Sequence, residues 1–485
     1  MSLLRRYLPL TTLFLSIASL YLYNLDGVGV LLPDEPRYAA IGRAMAQTGD
    51  WITPHLWGQP WFEKPPLLYW MTATATSLGL GPEMSARLPV ALLSLAFLVV
   101  SFTLVSASFG GFAAAVASLL LATSASWVVF SSLSLTDIPL GCFFSLAVLV
   151  LLPMLRPGAA SSRLRWRFCG FFLGAAVLAK GLVPLALILP VAWFFRRFWR
   201  HWWIAAASFC VTAIPWYLAV YARNGWPFIQ EFFLKHHLER LYSKSLQHVQ
   251  PWYFYFPILL GAVFPWTPLL GLLARIPHWD QRRLFLLTTV VFGFAFFSLS
   301  LNKLPGYLLP LLPALFILIG SYFEGAHHFP LGKIWLFPCA VLIALIPLMA
   351  QALPILLSAG RLVALNPFRT ASPTVLFYIA APLAIVLLAR RSWAGSLLVL
   401  CVVLAAFFLK LTTYPLLDQR VSARVFWQER IEPIQNQVCE EWIKRDWVYG
   451  LSFYRGALIP SCYNATFRYH LMPKPRDLPT IRDVQ

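Results

Sequence analysis

Thirteen apolar runs, separated by short polar stretches, organise the 485-residue chain. They fall at about residues 8–23, 87–108, 111–131, 137–154, 168–180, 183–195, 203–221, 253–274, 284–301, 307–320, 333–353, 374–389 and 394–411. A helix needs roughly 20 apolar residues to cross a bilayer, so the pattern predicts about thirteen transmembrane helices, the pair flanking Lys180 being short. One further run, 66–80, is about fifteen residues long and ambiguous. Parity decides it. Basic clusters at Arg156–Arg167, Arg196–Arg200, Arg275–Arg283 and Arg390–Arg391, with Arg5 and Arg6 at the start, belong on the cytoplasmic side. They share one side only if 66–80 does not cross, so it reads as an interfacial or half-inserted helix. The outer loops are then 24–86, 132–136, 180–182, 222–252, 302–306 and 354–373, and the tail from about 412 is outside as well.

The first outer loop breaks the apolar pattern most sharply. Leu31–Trp70 holds Asp34, Glu35, Arg37, Glu63 and Lys64 among Trp51, Trp57, Trp61, Tyr69 and Trp70. Asp34 is placed as a helix N-cap, Pro36 suits the first turn and Gly49 suits the end. Tyr38, Ile41 and Met45 share one face, with Arg37 and Arg43 off it. The spacing predicts a short amphipathic helix lying on the membrane. In the tail, WVYGLSFYRG alternates as a strand would, and returning charges suggest a small folded domain. The domains are accordingly 1–411, membrane-embedded, and 412–485, outside.

Composition adds that no soluble class fits. Hydrophobic residues make up 59% of the chain, and 38 Lys+Arg against 19 Asp+Glu give a net charge of +19. In a membrane protein that excess fits basic cytoplasmic loops facing anionic lipid, rather than a nucleic-acid partner. The first run lacks a cleavage pattern and reads as an uncleaved span. Cys142, Cys169, Cys210, Cys339 and Cys401 lie in apolar runs as small core residues, whereas Cys439 and Cys462 lie in the tail and could pair if it is extracytoplasmic. No internal repeat supports an inverted-repeat transporter.

On this map Asp34, Arg37, Glu63, Lys64, Asp137, Lys180, His237, His248, Lys303 and Tyr307 all converge on the outer face. Ionic groups at membrane depth are costly and usually functional. Asp34 could take a proton from an acceptor hydroxyl or only cap its helix. Glu63 and Lys64 could flank a reacting group or form a solvated pair. Asp137 could cap a span. Lys180, alone between apolar runs, calls for an anion such as a phosphate. His236, His237 and His248 suit a surface as well as a site. An Asp/Glu pair could hold a divalent ion, although no HExxH or CxxC spacing exists, and Asn464–Thr466 matches a glycosylation sequon. Neither GxxxxGK[ST] nor GxGxxG is present, so an activated donor residing in the membrane fits better than a nucleotide.

DEPRYAAIGRAMAQTGDW, FEKPPLLYW, SARLP, LTDIP, LAKG, KHHLER, HVQPWYFYFP with FPWTPLL, and SLNKLPGYLLPLLP occur in that order over about residues 5–320. In these motifs the chain resembles the polyprenyl-phosphate-sugar-dependent glycosyltransferases of the GT-C fold, nearest the 4-amino-4-deoxy-L-arabinose lipid A transferases and bacterial protein-mannosyltransferase-like enzymes. The resemblance implies an all-α polytopic bacterial inner-membrane protein with interfacial helices in its first outer loop and a small C-terminal periplasmic α/β domain. It implies a periplasmic active site and transfer of a sugar, aminoarabinose-like or a hexosamine, from undecaprenyl phosphate with inversion. Asp34, Glu63 and Asp137 match acidic catalytic positions, Glu63 also a metal position. Arg37, Lys64, Lys180, Tyr307 and His237 match positions that hold the donor phosphate. The expected acceptor is lipid A, with a protein or another envelope glycan open, because the region after residue 320 is less recognisable and the tail is shorter than these enzymes lead one to expect. The resemblance establishes no cofactor, a divalent ion is left open, and a monomer is expected. The rival class is a non-catalytic polyprenyl-phosphate-sugar carrier or flippase.

Overall fold

A computed structural model describes residues 2–239, 249–326, 331–359, 373–463, 467–474 and 478–484. The apolar runs fold as helices. α1 spans Ser2–Leu22, and α2 (Asp34–Thr48) and α3 (Leu67–Ser77) lie in the first loop. The bundle continues with α4 (Pro82–Phe109), α5 (Gly111–Ala122), α6 (Ala125–Phe130), α7 (Asp137–Leu149) and α8 (Arg163–Lys180). Later helices include Trp202–Asn224, Gln281–Leu299, Lys333–Ala359, Pro373–Leu388 and Arg391–Arg420. Five of the helices are individually long and apolar enough to cross a membrane, and six shorter apolar ones accompany them among the described residues.

Two spans differ from the sequence pattern. The run at 253–274 is not straight: Trp252–Ala262 and Thr267–Arg275 meet at 101°. Pro265 and Pro268 deny it two backbone donors, which ends the first helix there. The final helix runs to Arg420, so the boundary expected at 411/412 falls inside it. α3, at 11 residues, covers about 16 Å, roughly half the hydrocarbon thickness.

Charge is partitioned along the bundle. α4 carries Glu83 and Arg87 near one end, and Ser108 at the other accepts from Arg282. Those ends are about 38 Å apart at 1.5 Å per residue. At the Ser108 end Arg282 and Arg283 pair with Asp280 and Glu324. α8 likewise separates Arg163, Arg165 and Arg167 at its start from Lys180 at its last residue.

α2 is not an amphipathic surface helix. Glu35 through Gly42, and Met45, are buried, and Arg37 is only 2% exposed. The Tyr38–Ile41–Met45 face packs on the bundle core, while the opposite face is covered by the tail domain. Gly49 ends the helix at φ 72°, its N–H bonded to the Met45 carbonyl.

The tail domain holds a three-stranded sheet in the order β3 (Val438–Glu440), β4 (Tyr469–Met472), β5 (Thr480–Asp483), parallel then antiparallel. Strands β1 (His55–Leu56) and β2 (Gln59–Pro60) form a hairpin in the first loop. The stretch expected as a strand is instead the tail helix, Arg445–Arg455. Trp447, Val448, Leu451 and Tyr454 recur at helical spacing and pack against Val438, Ile443 and Leu471. Cys439 and Cys462 are disulfide-bonded. Cys142, Cys169 and Cys339 are buried, Cys401 is half-buried, and Cys210 is exposed rather than in the core. The sequon at 464–466 lies outside the described residues.

Candidate functional site

The first turn of α2 aims three charges at the loop that precedes α3. Arg37 donates through Nη2 to Asp34 Oδ1, through Nη1 to Glu63 Oε2 at 3.0 Å, and through Nε to the Pro33 carbonyl at 3.1 Å. Glu63 Oε1 lies 3.3 Å from Lys64 Nζ. The Arg37 side chain is 3% exposed and Glu63 10%, whereas Asp34 is 37% exposed and is the open member of the group. Asp34 does not cap the helix: Pro33 occupies the N-cap position, and the aspartate is held by Arg37. Burial alone would lower the pKa of Arg37, but Glu63 and Asp34 together hold it above the ordinary value, so it stays cationic. Burial, then Asp34 and Glu63, hold the Tyr38 hydroxyl well above the usual phenol range, which keeps it a neutral donor.

A second pair forms where α7 begins and α8 ends. Lys180 Nζ lies 2.6 Å from Asp137 Oδ1, both side chains being 12% exposed. The ammonium also sits 4.9 Å from the Tyr307 ring centroid. Asp137 does not cap its helix either, since Thr136 takes that position and the carboxylate serves Lys180. Gly306 explains the close packing of the Tyr307 segment: a Cβ there would lie 2.3 Å from Asp137 Oδ1.

One residue ties the two groups together. Glu35, beside Asp34, is fully buried and accepts from Leu31 N–H at 2.6 Å, Ser134 N–H at 3.0 Å, and Arg87 Nε and Nη2 at 2.8 Å each. The remaining Arg87 donors reach the carbonyls of Leu25, Val28 and Gly29. Ser134 precedes Asp137 by three residues, so Glu35 fixes the first loop against the Asp137 segment. On the far side, Phe62 and Leu67 belong to one apolar cluster with Val177, Leu178 and Leu182, which flank Lys180 in the chain.

Asp34, Arg37, Glu63 and Lys64 thus form one group, and Asp137, Lys180 and Tyr307 a neighbouring one. Lys303 is committed elsewhere, donating to the carbonyls of Gln250 and Ser300. The side chains of His236 and His237 lie outside the described residues, as does His248. The roles of Glu35 and Arg87 are not evident from the sequence pattern alone. Glu35 and Arg87 sat inside quoted motifs, and an acid and a base that fall beside apolar neighbours were the available signal. The Glu63 carboxylate faces Arg37 and Lys64 in this structure. Among the described residues the one cluster with metal-ligand types is Cys439, Cys462 and His470, and its two sulfurs are bonded to each other.

Residues 7–226 match the family described as dolichyl-phosphate-mannose-protein mannosyltransferase. An undecaprenyl phosphate-alpha-4-amino-4-deoxy-L-arabinose arabinosyl transferase from Pseudomonas aeruginosa is 32% identical over 346 residues, 64% of this chain and 58% of that protein. The enzyme of the same description from Pectobacterium atrosepticum is 31% identical over 329 residues, 65% of this chain and 59% of its own. The chain therefore matches under two thirds of the length of these relatives. The crystal structure of ArnT from Cupriavidus metallidurans bound to undecaprenyl phosphate superposes with a TM-score of 0.73 at 25% identity, covering 93% of this chain and 90% of that one. An Archaeoglobus fulgidus oligosaccharyltransferase shares the fold alone, with a TM-score of 0.52 at 13% identity over 96% of this chain and 66% of that one. The fold is the GT-C glycosyltransferase fold, and within it the chain resembles the aminoarabinose transferases.

Proposed function

We propose that this chain is an inner-membrane glycosyltransferase that moves a sugar from undecaprenyl phosphate to lipid A, with inversion. The names of the relatives support 4-amino-4-deoxy-L-arabinose as the sugar. One observation carries the reading: two interior cations at this end are held by carboxylates that compete with an incoming phosphate, Arg37 by Asp34 and Glu63, and Lys180 by Asp137.

In the reaction the bond between the anomeric carbon and the phosphate oxygen breaks, while the acceptor oxygen attacks the opposite face. Negative charge grows on the leaving phosphate. Lys180, Arg37 and Lys64 stabilise it in a site with little water. Asp34, the most exposed carboxylate of the group, receives the acceptor's proton. Glu63 keeps Arg37 and Lys64 oriented, and Asp137 holds Lys180 until the phosphate arrives.

The site belongs on the periplasmic side. The Cys439–Cys462 disulfide suits an oxidising compartment, and the Arg163–Arg167 and Arg282–Arg283 clusters mark the other end of the bundle as cytoplasmic. A flippase would need polar groups through the full thickness, whereas the candidate residues gather at one end.

The test is reconstitution. Purified protein in vesicles holding synthetic undecaprenyl-phosphate aminoarabinose and lipid A is followed by mass spectrometry of the lipid A. A pentosamine addition supports the reading; an unmodified lipid A with intact donor refutes it.

A further inference from the structure

The tail domain reaches the candidate site through one helix. Two arginines of α2 each face an aromatic ring of the tail helix: Arg37 lies 5.2 Å from the Tyr449 centroid, and Arg43 4.7 Å from that of Phe453. Tyr449 and Phe453 are one helical turn apart, so a single face of the tail helix lies along α2. Further contacts fix the register. Arg43 Nη2 donates to the Phe453 carbonyl at 2.6 Å, Tyr454 Oη donates to Glu83 at 2.8 Å, and Val30 N–H donates to Tyr454 Oη at 3.1 Å. Below the domain, Asp418 accepts from Gly29 N–H at 2.8 Å and from Arg424 at 2.6 Å.

A second feature converges on the same ring. The β1–β2 hairpin turns through Trp57 at φ 50° and Gly58 at φ 83°. Such a two-residue turn favours Asn or Asp followed by Gly, and a bulky side chain is disfavoured at its first position. The indole placed there packs on Tyr449, with centroids 5.5 Å apart and planes 35° apart. A turn that tolerates an unfavourable tryptophan, and a helix from another domain, thus meet over Arg37. The guanidinium is enclosed by Tyr449, Trp61 at 5.4 Å and Tyr38 at 5.9 Å. The exposed Arg445 shares the Tyr449 ring at 5.2 Å.

We propose that Tyr449 is a positioning residue of the glycosyl-transfer site, its ring holding the Arg37 guanidinium between Asp34 and Glu63 so that the site is complete only while the tail domain is docked. This rests on the proposed function for its catalytic consequence but not for its structural one. Three carbonyl- or carboxylate-directed bonds set where the Arg37 nitrogens point, yet Glu63 arrives on a separate segment, the loop before α3. A ring face keeps the planar guanidinium from swinging out toward solvent and suits its weak hydration. The phenol oxygen is not needed for that; the ring is.

The experiment compares Tyr449→Ala, Tyr449→Phe and Arg43→Gln in the full-length protein in detergent. Arg37 is labelled with phenylglyoxal and read by peptide mass spectrometry, while turnover and acceptor KM are measured in vesicles. For Tyr449→Ala, labelling of Arg37 is expected to rise and kcat to fall, each about tenfold, with KM and the melting temperature little changed. Tyr449→Phe is expected to match the wild type in both. Arg43→Gln, which loosens the second contact only, is expected to leave Arg37 protected. Unchanged labelling in Tyr449→Ala overturns the proposal, as does labelling in Tyr449→Phe or Arg43→Gln that rises as far as in Tyr449→Ala. If the wild type transfers no sugar, the functional reading fails, and the labelling arm still decides whether Tyr449 holds Arg37.

Discussion

Arg87 Nε sits 2.8 Å from Glu35 Oε1, with the two side chains 1% and 0% exposed. All five guanidinium hydrogens are used, two on Glu35 and three on the carbonyls of Leu25, Val28 and Gly29. A buried pair this fully bonded contributes little against an apolar replacement, but removing one partner strands a charge. Glu35→Gln should therefore cost about 3–5 kcal/mol of stability, and Arg87→Ala a similar amount. Thermal unfolding in detergent measures it. A shift no larger than that of an exposed substitution would show that the pair does not organise the first loop.

Lys180 and Asp137 give opposite expectations. Lys180→Ala removes a charge-assisted contact worth about 1.5–3 kcal/mol, so the affinity for undecaprenyl phosphate should fall at least about tenfold. Asp137→Asn frees the ammonium from its resident carboxylate, so affinity for the same lipid should rise. Equal affinities in wild type and Lys180→Ala would take Lys180 out of the phosphate site.

Asp50 supplies a pH dependence. Burial would raise its pKa, but the N–H groups of Ile52 and Thr53 and the Arg223 guanidinium outweigh this and lower it. A carboxylate with a depressed folded pKa contributes stability above its unfolded value, lost as pH falls through the folded one. The gap in melting temperature between wild type and Asp50→Asn should thus be full near neutrality and close in acid, below the ordinary carboxylate range. A gap that stayed constant across that range would contradict the assignment.

The sequence made the bundle readable because each span states its own hydrophobicity. The residues that bend 253–274 were visible as Pro265 and Pro268, but only the fold shows the 101° between the two halves. Asp34, Arg37, Glu63 and Lys64 could be grouped in advance because they share one loop. Lys180 meeting Asp137 needed parity alone to place them at the same end. What stayed hidden was contact between distant segments. Arg37 and Arg43 looked solvent-facing because their covering partners, Tyr449 and Phe453, lie some 400 residues downstream in the chain. The tail helix reads as a strand because Trp447 and Leu451 fit both periods, and the partners that choose between them, Val438 and Leu471, are remote.

The most direct test of Asp34 as the base is the Asp34→Asn variant, assayed for sugar transfer and for undecaprenyl phosphate binding on the same preparation. Transfer should fall about 10²–10⁴-fold, while the lipid phosphate still binds, because Arg37 keeps Glu63 and Lys180 keeps Asp137. Near-wild-type transfer would contradict the role given to Asp34, and with it the mechanism assigned to this cluster.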